Sequence, residues 1–143
     1  MIVVDANILF YAEDALSPHH EVARVWWDDR LRGDETIGLS WMTCLAYIRV
    51  FTNPRAVRSP LSMSEVAATV DAWLNQPIVH GLEPSHRFWS TFRRVLQNGQ
   101  AVANLAPDAY LAALAIENNA TLYSTDTDFA RFDGLRWRNP LAQ

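Results

Sequence analysis

The chain opens on an apolar, β-branched triplet, Ile2-Val3-Val4, which breaks off at Asp5. A short run with no polar alternation marks a strand covered on both faces, as in a parallel sheet. The period then changes. Asn7 to Glu13 reads as a short helix, and Ser17-Pro18 opens a second whose apolar positions Val22, Val25, Trp26 and Leu31 run on to Gly33. Thr36 to Leu39 reads as a second strand. Ser40 caps a helix reaching about Phe51, closed by the turn residues Thr52-Asn53-Pro54-Arg55. Ser62 or Ser64 starts the next helix, with Val66, Val70, Trp73 and Leu74 on one face, and Pro77 ends it. Ile78 to Leu82 gives a weaker strand, and Pro84 to Gln97 a helix that stops near Gly99.

The most informative quarter follows. Ala109 to Ile116 is an unbroken apolar run, with Pro107 and Asp108 in its first turn and Glu117-Asn118-Asn119 behind it, which predicts a helix buried nearly all round. Thr121 to Tyr123 is a further short strand, followed at once by Ser124, Thr125, Asp126 and Asp128, and Leu135 to Arg138 reads as a last edge strand. No repeat, low-complexity stretch or linker intervenes. The alternation therefore predicts one α/β domain over residues 1–143, with a central, mostly parallel sheet flanked by helices.

Composition narrows the function. Half the residues are hydrophobic and 20% are charged, an ordinary soluble balance, and no segment approaches the roughly 18 to 20 apolar residues that span a bilayer. A cytoplasmic protein without membrane contact is expected. The single Cys44 excludes an internal disulfide and sits where a small buried hydrophobe is wanted. The net charge of -4 denies the chain a global positive field, so any nucleic-acid contact must be local. All 12 basic residues are Arg, in clusters at Arg55/Arg58, Arg87/Arg93/Arg94 and Arg131/Arg136/Arg138, each a solvated surface unless a phosphate meets it. His19-His20 has no third ligand at a metal-binding spacing, and His80 and His86 have no partner. Trp26, Trp73 and Trp89 fall at core positions; Trp41 and Trp137 are candidates for base stacking or partner contact.

In open α/β sheets, function gathers beyond the carboxyl ends of the strands. Asp5 follows the first strand, Asp126 and Asp128 follow the strand at Tyr123, and Asp108 opens the helix that crosses back to that strand, so all four carboxylates belong to one edge. Each has a bland role. Asp5 can cap a helix, Asp108 suits a helix N-terminus, Thr125-x-x-Asp128 is a loose capping box, and Asp126 can accept turn amides. Taken together they repel one another unless a cation neutralises them. Hard oxygen donors without a Cys or His cluster point to Mg²⁺ or Mn²⁺, and such an ion engages phosphates, which implies phosphodiester hydrolysis.

Val4-Asp5-Ala6-Asn7, Pro107-Asp108-Ala109 and Ser124-Thr125-Asp126-Thr127-Asp128-Phe129, in that order, resemble the PIN-domain nucleases, and specifically the small VapC-type toxins of bacterial toxin-antitoxin pairs. The likeness runs from Met1 to about Pro140 and includes Arg49-Val50-Phe51-Thr52-Asn53-Pro54-Arg55, a segment seen in one branch of those toxins. The resemblance implies a PIN fold and Mg²⁺- or Mn²⁺-dependent cleavage of structured RNA such as tRNA or rRNA. It also implies a homodimer and neutralisation by a cognate VapB-like antitoxin. By motif, Asp5, Asp108 and Asp126 would hold the metal, Asp128 would complete the catalytic set, and Asn7 and Thr125 would support it by hydrogen bonds. The family usually carries a Glu on the helix following the second strand. Here that helix, Ser40 to Arg49, has none, and no acid occurs between Glu35 and Glu65. The departure keeps open a second reading, a catalytically weak or inactive PIN-like domain that binds RNA or a protein partner. Glu13 and Asp14 are possible substitutes for the missing acid. A haloacid-dehalogenase-like phosphatase also starts with a strand ending in Asp, but it needs an acid where Asn7 stands and a downstream Lys that the chain lacks.

Overall fold

The computed structural model describes residues 1–142, and in it a five-stranded, all-parallel sheet forms the centre. The strands are β1 (Ile2–Val4), β2 (Ile37–Ser40), β3 (Val79–Leu82), β4 (Thr121–Tyr123) and β5 (Arg136–Arg138), in the order β3-β2-β1-β4-β5. The registers Val3↔Gly38 and Val3↔Leu122 put β1 in the middle. Its three residues are fully buried, as an apolar triplet lacking alternation requires. The strand order reverses at β1/β4, where parallel sheets open a crevice beyond their carboxyl ends.

Six helices cover the two faces. On one, α1 (Ala6–Glu13), α2 (His20–Arg32), α3 (Trp41–Phe51) and α4 (Met63–Leu74) pack Leu9, Trp27, Tyr47 and Trp73 over Ile2, Val4 and Leu39. On the other, α5 (Phe88–Gly99) and α6 (Ala106–Glu117) pack Phe88, Val95 and the Ala/Leu run of α6 over Val3 and Leu122. Alternate residues of β1 thus feed opposite cores. The small side chains of α6 let it lie close on the sheet: Ala109, Ala112, Ala113, Leu114 and Ala115 are all inaccessible to solvent. Ser40 Oγ accepts from Met42 N at α3, the cap expected from sequence, and of the two candidate starts of α4 the structure uses Ser62, which forms a reciprocal capping box with Glu65. Cys44 is buried, and its thiol is pushed up to about 11 by burial, so it packs as a hydrophobe.

Three expectations are corrected. In α2 the buried positions are Ala23 and Trp27, while Val22 and Val25 face solvent; the helix turns its Trp27 side inward to meet Trp73 edge-on at 6.0 Å. Helix α5 begins at Phe88 rather than Pro84, because Ser85 N and Oγ both donate to the Glu117 carboxylate and hold residues 84–87 as a turn against the end of α6. Trp89 consequently lies on the outer side of α5, 63% exposed, not in the core. Trp26 is half-buried against Tyr123, with ring centroids 5.0 Å apart.

Candidate active site

At the carboxyl end of β1 the chain turns directly into α1. Asp5 is both the N-cap of that helix and the first carboxylate of the crevice: Oδ1 accepts from Ala6 N at 2.8 Å and Oδ2 from Ser124 Oγ at 2.7 Å. The neighbouring strand supplies the rest. Ser124, wholly buried after β4, also accepts from Asn7 Nδ2 at 3.1 Å and from Asp126 N at 3.0 Å, so one hydroxyl ties β1, α1 and the β4 loop together. Asn7 Oδ1 is left buried without a protein partner. The loop is braced from β5, where Trp137 Nε1 donates to Ser124 O at 2.9 Å, so Trp137 anchors the backbone of the site.

Beyond Ser124 the chain forms a short 3₁₀ turn over Thr127–Arg131, capped by Asp126, whose Oδ1 accepts from Asp128 N at 2.8 Å. The loose capping box expected at Thr125 is therefore not the one used; Asp126, one residue later, has the extended backbone that a cap needs. Thr125 lines a cleft of about 150 Å³ with Tyr11, His19, Asn139 and Leu141. Ser124, which sequence reasoning passed over in favour of Thr125, makes the side-chain hydrogen bond to the Asp5 carboxylate. Only its place next to the acids hinted at this, since strand alternation in a three-residue β4 does not say which of two hydroxyls turns inward.

Asp108 enters from the first turn of α6, and its carboxylate oxygen lies with those of Asp126 and Asp128 in a group whose members are all within 4.8 Å of one another. Asp5 stands beside this group, close enough to raise the Asp108 carboxyl and to be raised itself by the charge of Asp126. Burial raises the Asp108 carboxyl, and the charges of Asp126, Asp5 and Asp128 push it further, to about 6, against a smaller opposing influence of Arg131. Asp5 is also raised, first by burial and last by Asp126, while Ser124 and the Ala6 amide hold it down. Three hard oxygen donors under mutual repulsion fit a divalent, oxygen-preferring cation.

Asp5 and Asp108 open into a cleft of about 230 Å³ whose far wall is α3: with Pro107 and Tyr110 they face Met42, Thr43, Leu45, Ala46 and Arg49. No residue of that wall is acidic. Glu13 does not compensate, since it pairs with Arg24 at 2.8 Å, and Asp14 accepts from Leu16 N at 3.0 Å beyond the end of α1. His20 Nδ1 lies 2.9 Å from Tyr11 O, a local contact and not part of a metal set.

A three-layer parallel domain with carboxylates converging at the β1/β4 crevice is the layout of a nuclease-type acidic centre. The PIN domain family model matches residues 2–135, and the chain belongs to that family. Within it the similarity is to VapC ribonucleases. The chain is 38% identical over 142 residues to Ribonuclease VapC37 of Mycobacterium tuberculosis, covering 99% of each protein. It is 41% identical over 141 residues to VapC ribonuclease Mb2897 of Mycobacterium bovis, covering 99% of this chain and 96% of that one. Solved structures share the fold at lower identity. VapBC-1 from nontypeable Haemophilus influenzae matches with a TM-score of 0.70 at 17% identity over 99% of this chain and 100% of that one. VapBC2 from Rickettsia felis, bound to a promoter DNA fragment, gives 0.68 at 21% over 97% and 98%. Among the described residues no helix is long and apolar enough to cross a membrane.

Proposed function

We propose that the chain is a metal-dependent endoribonuclease toxin that hydrolyses phosphodiester bonds of structured RNA such as tRNA or rRNA, acts as a homodimer and is neutralised by a cognate VapB-like antitoxin. The observation that carries the reading is the convergence of Asp108, Asp126 and Asp128 within 4.8 Å, beside Asp5, at the strand-order switch. The full-length likeness to proteins named as VapC ribonucleases supports the activity, and the likeness to VapBC complexes supports the antitoxin.

Asp5, Asp108 and Asp126 would hold a Mg²⁺ or Mn²⁺ ion, with Asp128 completing the set. When bound, the ion supplies Lewis acidity toward a phosphate and neutralises the carboxylates. The protein's own part is positional. Ser124 donates to Asp5 Oδ2 and fixes its rotamer, Asn7 Nδ2 donates to Ser124 Oγ and directs that hydroxyl's proton toward Asp5, and the Asp126 amide bonded to Ser124 Oγ sets the loop.

The test is cleavage of total RNA by purified protein with Mg²⁺ or Mn²⁺, with chelator, and by Asp5→Asn. Discrete fragments that require both the metal and Asp5 are expected. A folded, antitoxin-free protein that makes no metal-dependent cut would instead favour a PIN-like domain that only binds RNA or a partner.

A further inference from the structure

The α3 wall of the acidic cleft carries a charge of the opposite sign. Met42, Leu45, Ala46 and Arg49 recur at the i, i+3, i+4, i+7 spacing of one helix face, and all four line the cleft that holds Asp5 and Asp108. Arg49 is exposed and, among the described residues, takes part in no ion pair. Three other arginines are engaged elsewhere. Arg24 bonds Glu13 and Asp28, Arg131 donates to Gly99 O, and Arg136 donates to Asn119 O and Oδ1. With no acid on α3 itself, nothing along the helix competes for the guanidinium.

An anionic polymer entering this cleft meets two problems. The carboxylates repel it, and a chain of net charge -4 offers no general attraction to offset that repulsion. A cation held by the acids would neutralise them toward one phosphate only, and the neighbouring phosphate would still lack a counter-charge. Arg49 stands across an apolar strip from the acids and presents planar, paired N–H donors that match a phosphate. Met42, Leu45 and Tyr110, which line the same cleft, offer a surface for a sugar and base. At about 230 Å³ the cleft is on the scale of a single nucleotide.

On the ribonuclease reading above, we infer that Arg49 binds the phosphate adjacent to the one that is cleaved, and so holds a single-stranded segment of the RNA across the cleft. Arg49 then acts on substrate binding rather than on bond breaking. The competing structural role is that of a cation in the last turn of α3, where it would steady the helix-end carbonyls; that role moves stability and leaves RNA affinity alone.

The test compares R49Q and R49K. Cleavage of total tRNA with Mn²⁺ gives kcat and KM. Anisotropy of a labelled oligouridylate, titrated against salt on the Asp5→Asn background, gives affinity without turnover. R49Q should raise KM and weaken oligouridylate binding about tenfold, with kcat changed less than about threefold. The slope of log affinity against log salt should shrink by about 0.7, the loss of one single-strand phosphate contact. R49K should recover most of the affinity. Unchanged KM and salt slope in R49Q overturns the inference, as does a fall in kcat alone. If R49Q lowers the melting temperature, R49M against R49K decides: Lys binding more tightly than Met supports the contact, and equal binding overturns it. A wild-type protein that cuts no RNA sinks the ribonuclease reading, while the oligouridylate titration still answers for Arg49.

Discussion

Asp108 begins α6 with a carboxyl that burial and three neighbouring acids raise from 3.8 to about 6. A raised carboxyl binds its proton more tightly in the folded chain than in the unfolded one, so ionisation at neutral pH works against folding. The penalty is absent below 3.8 and complete above about 6. The shift corresponds to about 3 kcal/mol at 1.36 kcal/mol per unit, and partial solvation of the group reduces this to roughly 1.5 kcal/mol. Asn gives up the favourable meeting of a negative charge with the helix start, about 0.5 kcal/mol. Asp108→Asn should therefore stabilise the metal-free protein by about 1 kcal/mol at pH 7.5, a rise of about 3 °C in melting temperature for a domain of this size. The assay is a set of thermal melts in chelator at pH 7.5 and pH 4, and again with Mn²⁺. The variant should melt higher at pH 7.5, most of that gain should vanish at pH 4, and Mn²⁺ should raise the wild type but not the variant. An Asp108→Asn protein that melts at or below the wild type at pH 7.5 in chelator refutes the argument that the acids are held together against their own repulsion.

Other perturbations reach the same frame from different sides. Ser124→Ala removes one buried hydroxyl that serves Asp5, Asn7 and Asp126; it should cost about 1–3 kcal/mol in denaturant titrations and lower RNA cleavage, and wild-type activity would show that Asp5 needs no support. Gly81→Ala would bring a methyl within 2.3 Å of the Trp41 ring, so the indole must leave its place; a destabilisation of about 1–3 kcal/mol should be relieved in the double variant with Trp41→Ala, and additive losses would disprove the contact. Trp27→Ala empties a fully buried site between α2 and α4, with an expected loss of about 3–5 kcal/mol in chemical unfolding. A loss below about 1 kcal/mol would place Trp27 outside the rigid core.

The order of elements was legible in the chain because each carried a local signal. An apolar triplet gave β1, Ser40 and Ser62 marked helix starts, and Pro107 followed by an unbroken apolar run gave α6. The four acids were legible for a related reason: strand-end placement in a parallel sheet assigns a side chain to one edge before any contact is known. Where two local readings competed, the sequence was silent. Val22 and Val25 look as core-like as Ala23 and Trp27, and only the position of Trp73 on α4 selects the face of α2 that turns inward. That residues 84–87 stay outside α5 could not be read locally, since the carboxylate that holds Ser85 belongs to Glu117, 32 residues away. The choice of Ser124 over Thr125 has the same origin, for its partners Asp5 and Asn7 lie 119 and 117 residues off. By itself the sequence determined the order of strands and helices and the carboxylates at strand ends, because those follow from periodicity and capping within a few residues. Tertiary structure alone decided which hydroxyl holds Asp5 and that the cleft wall opposite the acids carries Arg49. These are contacts between distant segments, and their direction depends on how helices rotate when their faces are packed against the sheet.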